Sequence, residues 1–267
     1  MARQPPNLGT GLPTDEEIEY YYPPMFTWET VKDQVDVEEI IVVHCRDLGN
    51  LKRHPTMQIR YDKWMEGIKA ENGGSIVNYL VNVKLRWAPT ETRPATPNSH
   101  ANPTYTDAQG RTISATLGLP TPPPTRPFTP TDTAPPEYFT ANISPRYFKI
   151  LKNDWPYSVP LDVTHFVFWT RVPIIHPALV PPKIWTRIEQ DGLWGFTGSD
   201  RLAVPKTIDG KDNEETTEMV KRAHHECAQF VLNNWPPEEF EVAWFVNPPR
   251  LQSIPGLAHG HVFARKK

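Results

Sequence analysis

Proline decides where this chain can hold regular structure. Thirty-one of its 267 residues are proline, well above the usual share of about 5%, and they are gathered rather than spread. Proline fixes φ and removes a backbone donor, so each cluster ends or excludes a helix or an inner strand. Residues 1–25, polar and closing on Tyr20-Tyr-Tyr-Pro-Pro24, read as a flexible tail whose tyrosines offer a docking point. Residues 88–137 carry Pro, Thr, Ala and Asn in excess, including Pro120-Thr-Pro-Pro-Pro-Thr-Arg-Pro127. With so few large apolar residues this stretch cannot offset the entropy of ordering, and it reads as a disordered insertion. Residues 26–267 then form one domain interrupted by it, because the helices before it have no partner layer of their own.

Within that domain the pattern changes from helical to extended. Trp28, Val31 and Val35 stand at helical spacing, as do Ile40, Val43 and Leu51, and then Tyr61, Trp64, Met65 and Ile68. Asn72-Gly73-Gly74 ends the third segment, and Ile76, Tyr79, Leu80, Val83 and Leu85 begin a fourth. After the insertion, Val163–Arg171, Glu241–Val246 and Gly260–Ala264 are rich in β-branched and aromatic residues and read as strands. A helix runs from about Asp212 to Asn234, stopped by Trp235-Pro-Pro237. Helices first, then strands mixed with a helix, imply an α+β fold: N-terminal helices packed on one face of a small, mainly antiparallel sheet.

Charge and cysteine content narrow the function classes. A net charge of −3 with no basic stripe gives nothing to gather a polyanion, so nucleic acid is not an expected partner. No run approaches the roughly 18 apolar residues of a membrane span, and Met1-Ala-Arg-Gln-Pro-Pro6 lacks the apolar core of a signal peptide. A soluble, cytoplasmic protein is expected, in which the Asn142-Ile-Ser144 sequon has no consequence. Cys45 and Cys227 are too few for a disulfide framework or, alone, a structural zinc site. Cys227 shares a stripe with Met219, Ala223 and Phe230 and reads as core packing rather than a nucleophile.

The chemistry-bearing residues gather near the C-terminus. Alternation puts His259, His261, Phe263 and Arg265 on one strand face, and His165, Val167, Trp169 and Arg171 on one face of another. Six residues of strand span about 20 Å, so the His and Arg of one strand cannot share a small ligand. Were the two strands antiparallel neighbours, the His of one could approach the Arg of the other and make a cation-rich pocket for phosphate or carboxylate. Asn247, fixed by Pro248-Pro249 where its strand leaves the sheet, suits ligand orientation. The expected site is therefore His259 and His261 in acid–base roles, with His165, Arg171, Asn247 and Arg265 binding the ligand.

Alternatives stay open. Two same-face histidines could share a metal ion with a third ligand from His165, His176 or a carboxylate, as in a metal-dependent hydrolase or lyase, yet no third ligand sits at diagnostic spacing. His224-His225-Glu226 lacks the later histidine of a zinc-protease helix, and His225 lies in a polar stripe with Glu218, Arg222 and Gln229. Gly192-Leu-Trp-Gly195-Phe-Thr-Gly198 could fold around an anion but lacks the Gly-Lys-Ser/Thr of a phosphate loop. Which cofactor, if any, the chain uses is unknown from the sequence. A non-catalytic regulatory protein that meets a partner through the proline-rich insertion is the other class.

The run Trp244-Phe-Val-Asn-Pro-Pro-Arg-Leu-Gln-Ser-Ile-Pro-Gly-Leu-Ala-His-Gly-His-Val-Phe-Ala-Arg265, with His165-Phe-Val-Phe-Trp-Thr-Arg171 and Asn153-Asp-Trp-Pro-Tyr157, resembles the fungal N-acetylglucosamine-induced protein family, a domain of unknown function. Leu51–Tyr61 and Tyr79–Trp87 resemble that family's front half. Asn247, His259, His261 and Arg265 are all present. The resemblance implies a link to amino-sugar metabolism or response in a fungal cell, with a small anionic metabolite, an amino-sugar phosphate or nucleotide sugar, as the expected ligand.

Overall fold

The computed structural model describes residues 4–35, 51–87, 104–106, 112–114, 136–199, 214–248, 251–252, 254 and 257–267. Along these run helices α1 (Asp15–Tyr21), α2 (Trp28–Val35), α3 (Pro55–Glu71) and α4 (Ile76–Tyr79), strands β1 (Thr104–Thr106), β2 (Thr112–Ser114), β3 (Phe148–Lys152) and β4 (Val163–Thr170), then α5 (Pro182–Asp191), β5 (Leu193–Thr197), α6 (Glu214–Asn234), β6 (Phe240–Val246) and β7 (Ala258–Lys266). The fold is α+β. β1 and β2 form a hairpin of their own, and the other five strands make one antiparallel sheet in the order β3-β4-β7-β6-β5.

Helices cover both faces of that sheet, not one. On one face α6 lays Val220, Ala223, Cys227, Phe230 and Val231 against Phe168, Val242, Trp244, Val246 and Val262. On the other, α2 packs Trp28, Val31 and Val35 against Ala243, Phe245 and Phe263, while α4 and the π-helical turn after it (Leu80–Lys84) cover Val167 and Trp169. The cause is in the strands: Val242-Ala-Trp-Phe-Val246 is apolar at both alternations and buried along its length. Such a run must be dry on two sides.

Gly260 and Gly192 are required by geometry. Gly260 leaves room for the Phe168 ring of β4, which a Cβ would meet at 2.3 Å. Gly192, at φ 71°, turns α5 into β5 beneath Val246 O.

The N-terminal segment differs from the tail its prolines suggest. Thr14 and Glu17 form a capping box on α1, and Glu17 is a buried carboxylate held by Arg60 of α3 at 3.2 Å. Tyr21 donates to Pro6 O, and Tyr22 packs with Met57 and Trp155. A local cap and one tertiary ion pair overcome the helix-breaking composition. Ile40, Val43 and Cys45 lie outside the described residues. So does most of the 88–137 stretch, of which the structure describes only the strands β1 and β2 and residues 136–137. No helix among the described residues is long and apolar enough to cross a membrane.

Candidate functional site

The register of β4 and β7 decides what the histidines can do. His165 stands opposite Phe263, Val167 opposite His261, and Trp169 opposite His259. All six therefore share a face, and His165 lies diagonal to His261, with His165 Nε2 3.0 Å from His261 Nδ1. The Tyr157 amide donates to His165 Nδ1 at 3.2 Å, which leaves the proton of a neutral His165 ring on Nε2. His259 donates from Nδ1 to Leu257 O at 2.7 Å. The rings are packed tightly: His261 stacks on Phe245 at 4.8 Å and lies 5.5 Å from His259, itself 4.7 Å from Trp169.

All three rings are buried, and burial moves each pKa down. His165 falls to about 3 through burial and then the charge of Arg53. His261 lies well below its usual range through burial, its two histidine neighbours and Arg53. His259 is lowered by burial despite its bond to Leu257 O. At neutral pH the cluster is uncharged, so a standing imidazolium acid, as acid–base duty at His259 and His261 would want, is disfavoured here.

His259 and His261 form the floor of a cleft open at its mouth. Its walls come from segments far apart in sequence: Arg53, Tyr61 and Trp64 on and before α3, Tyr79 and Lys84 beside α4, Asn153, Asp154 and Trp155 after β3, and Trp169 of β4. Trp64 meets Tyr79 edge-on at 5.6 Å and Trp155 at 5.3 Å. Arg53 donates Nε to Trp155 O at 3.0 Å and Nη1 to Gln58 Oε1 at 3.1 Å, with its guanidinium 4.0 Å over the Tyr61 ring. Lys84 pairs with Asp154 at 2.6 Å. Of the three cations in the lining, Lys84 is matched by Asp154 and Lys152 by Asp15 at 2.6 Å, which leaves Arg53 without a carboxylate partner among the described residues. Trp155 lines the cleft, is 3% exposed, and its indole N–H has no acceptor among the described residues.

The sequence-predicted residues divide. The structure brings His165, His259 and His261 together but leaves the two arginines elsewhere. Arg265 stands opposite Val163 at the far end of β7, paired with Asp162 at 2.7 Å and near Glu241 at 3.9 Å. Arg171, one residue beyond β4, donates to Trp87 O and lies over its ring. Register would allow the approach, since Arg265 stands diagonal to His165 just as His261 does, but Arg265 turns to Asp162 and Glu241 and Arg171 to Trp87. Asn247 is buried at the end of β6 and does not line the cleft, and its carbonyl accepts from Gln252.

Of the metal alternatives, His176 stacks on Tyr138 and faces Glu137, outside the cluster. Among the described residues no three His, Cys, Asp or Glu side chains are grouped to hold an ion. His224 is buried in the core beside Trp194 and Trp244, whereas His225 is exposed. Gly192–Gly198 is turn and strand β5 rather than an anion loop. Burial raises the Cys227 thiol pKa, as packing requires.

Sequence reasoning did not assign Arg53, Trp64, Lys84, Asp154 or Trp155 to the site. No spacing links them. Their one signal is that the stretches Leu51–Tyr61, Tyr79–Trp87 and Asn153–Tyr157, singled out by resemblance, each supply part of the wall.

A family model described as "Protein of unknown function (DUF3605)" matches residues 27–180, a span that holds every wall residue of the cleft except Ile254, but not the two floor histidines. No curated protein matches the chain. The crystal structure of HTC1 aligns over 90% of this chain and 85% of its own at 17% identity, with a TM-score of 0.41. At that score the likeness bears on neither fold nor function.

Proposed function

The chain belongs to the DUF3605 family, a family of unknown function, and we propose that it binds a small anionic metabolite, an amino-sugar phosphate or nucleotide sugar, in the cleft between its sheet and helices α3 and α4. The observation that carries this reading is the cleft's composition: aromatic walls, neutral imidazoles at the floor and, in Arg53, a guanidinium with no carboxylate partner among the described residues. Aromatic faces suit the apolar side of a sugar ring, hydrogen-bonding groups of fixed geometry suit its hydroxyls, and the Arg53 guanidinium suits a phosphate. The orphan Trp155 N–H offers a further donor. Resemblance to the fungal N-acetylglucosamine-induced family supports the same reading and a role in amino-sugar metabolism or response, with the cytoplasm as the proposed compartment. The site residues of this proposal are His259 and His261 at the floor, His165 behind them, and Arg53, Tyr61 and Trp64 in the wall; Arg171, Asn247 and Arg265 are not among them.

Thermal melting with glucosamine 6-phosphate, N-acetylglucosamine 6-phosphate, UDP-N-acetylglucosamine and inorganic phosphate tests it on wild type, Arg53→Ala and Trp64→Ala. A ligand at a hundredfold excess over its Kd stabilises by about 2.7 kcal/mol, or roughly 5–10 °C at this chain length. A shift with a sugar ligand that is lost in both folded variants supports the reading. No shift with any of the four overturns it.

A further inference from the structure

We propose that His165 is a positioning residue that fixes the tautomer of His261, so that the cleft floor presents one donor, His261 Nε2–H, beside one acceptor, His259 Nε2, and thereby selects a carboxamide over an ammonium or carboxylate group. This rests on the reading of the cleft as a ligand site and names the group its floor recognises.

The polarity follows from a chain of hydrogen bonds. A backbone amide can only donate, so Tyr157 N–H makes His165 Nδ1 an acceptor. The proton of neutral His165 is then on Nε2 and is donated to His261 Nδ1. His261, its Nδ1 occupied as acceptor, carries its own proton on Nε2. A carbonyl can only accept, so Leu257 O draws the His259 proton to Nδ1 and leaves Nε2 with a lone pair. Asn153 Nδ2 sits 3.4 Å from both His165 ring nitrogens, off both lone-pair axes, and does not compete with the shorter Tyr157 bond. The backbone at two points thus sets the tautomers of all three rings. The orientation of the second nitrogen by the partner of the first is a general property of imidazole.

Neither His259 Nε2 nor His261 Nε2 has a hydrogen-bond partner among the described residues, and both rings line the cleft. Burial holds all three rings neutral, which keeps one proton on each. Hydroxyls rotate to suit either polarity, so a fixed pair discriminates only among groups that are themselves fixed. A carboxamide carries the complement of each, a C=O to accept from His261 and an N–H to donate to His259. An ammonium has no acceptor for His261, and a carboxylate has no donor for His259. An unpaired buried group is what makes such a site selective.

The first test needs no ligand. Long-range proton–nitrogen NMR on the full chain labelled at histidine, at pH 7, should show His165 and His261 protonated on Nε2 only and His259 on Nδ1 only. A His261 protonated at Nδ1, or on both nitrogens, overturns the proposal. In His165→Phe the His261 signals should move to those of a tautomer mixture, and a retained pure Nε2–H form removes His165 from the positioning role. Should that variant not fold, the wild-type spectrum decides alone. In binding, N-acetylglucosamine 6-phosphate, with its carboxamide, should exceed glucosamine 6-phosphate, with its ammonium, by at least about tenfold, or 1.4 kcal/mol. Equal affinity overturns the selectivity while sparing the ligand site; no binding by either sinks the reading of the cleft and leaves the tautomers to the spectrum.

Discussion

His165 on β4 and His261 on β7 meet across an antiparallel pair at 3.0 Å, two imidazoles joined Nε2 to Nδ1 inside a shell of Tyr157, Phe245 and Phe263. Such a contact holds only while at least one ring is neutral, because two imidazolium ions would be left with donors facing donors. The same shell that makes the pair rigid makes it costly to charge.

Acid should therefore unfold this protein early. A histidine whose folded pKa is lowered binds protons more readily in the unfolded chain, so its contribution is whole above the ordinary value of 6.5. It is lost as pH falls, down to about 3 for His165. His224 adds to the same window, lowered by burial to about 4. Melting temperature should fall steadily below pH 6.5, and His165→Phe, if folded, should flatten the slope between pH 6.5 and 4. A stability plateau from pH 7 to 4 would contradict the neutral cluster.

Glu17 should matter far more than a residue in a tail. Burial opposes its charge, yet the Thr14 and Gly9 amides and Arg60 outweigh this and hold its pKa at about 2. Its share of stability is complete above pH 4.5 and disappears toward 2. Glu17→Gln leaves Arg60, bonded also to Tyr22 and the Gly11 and Leu12 carbonyls, without its carboxylate. The expected loss is about 3–5 kcal/mol in urea denaturation. A loss below 1 kcal/mol would mean that α1 is not held as described.

Gly260 separates the two floor histidines along β7 and points to the opposite face. An added Cβ meets the Phe168 ring edge at 2.3 and 2.4 Å and Val246 at 3.0 Å. Gly260→Ala should cost about 1–3 kcal/mol by forcing Phe168 off its packing against Phe139 and Phe230. Because His259 and His261 flank it, the variant should also broaden their NMR signals. Unchanged urea midpoints would show that β7 can shift.

How much of this was legible depended on whether a local pattern or a distant partner decided the outcome. Strands β4, β6 and β7 announced themselves by β-branched and aromatic runs, and α6 by its stripe of Ala223, Cys227 and Phe230. The alternation rule put His259 and His261 on one face of their strand and His165 on one face of another, but only the pairing of β4 with β7 makes these the same face. β3 was missed because Phe148-Lys-Ile-Leu-Lys152 is a short edge strand whose two lysines, at 149 and 152, fall on opposite faces and break the alternation, and β5 because Gly195 interrupts it. α1 had a readable capping box at Thr14 and Glu17, but its anchor, Arg60, lies 43 residues on. The cleft was least legible. Its walls meet only through tertiary packing, and the arginines picked to serve it proved to be partnered at the strand ends.

Arg53 is the residue on which an anionic ligand should depend most. It is held from three sides, by Trp155 O, by Gln58 and by the Tyr61 ring, and no carboxylate among the described residues neutralises it. Arg53→Lys keeps the charge but gives up the planar fork and the stacking that orient it. If phosphate recognition uses that fork, affinity for the sugar phosphate should fall about tenfold, or 1.4 kcal/mol, measured by titration calorimetry. Lys84→Met, which removes a cation already matched by Asp154 at 2.6 Å, should weaken binding less. Equal losses in the two variants would mean that the cleft reads net charge rather than the guanidinium, and a larger loss in Lys84→Met would move the anion's seat to the α4 side of the cleft.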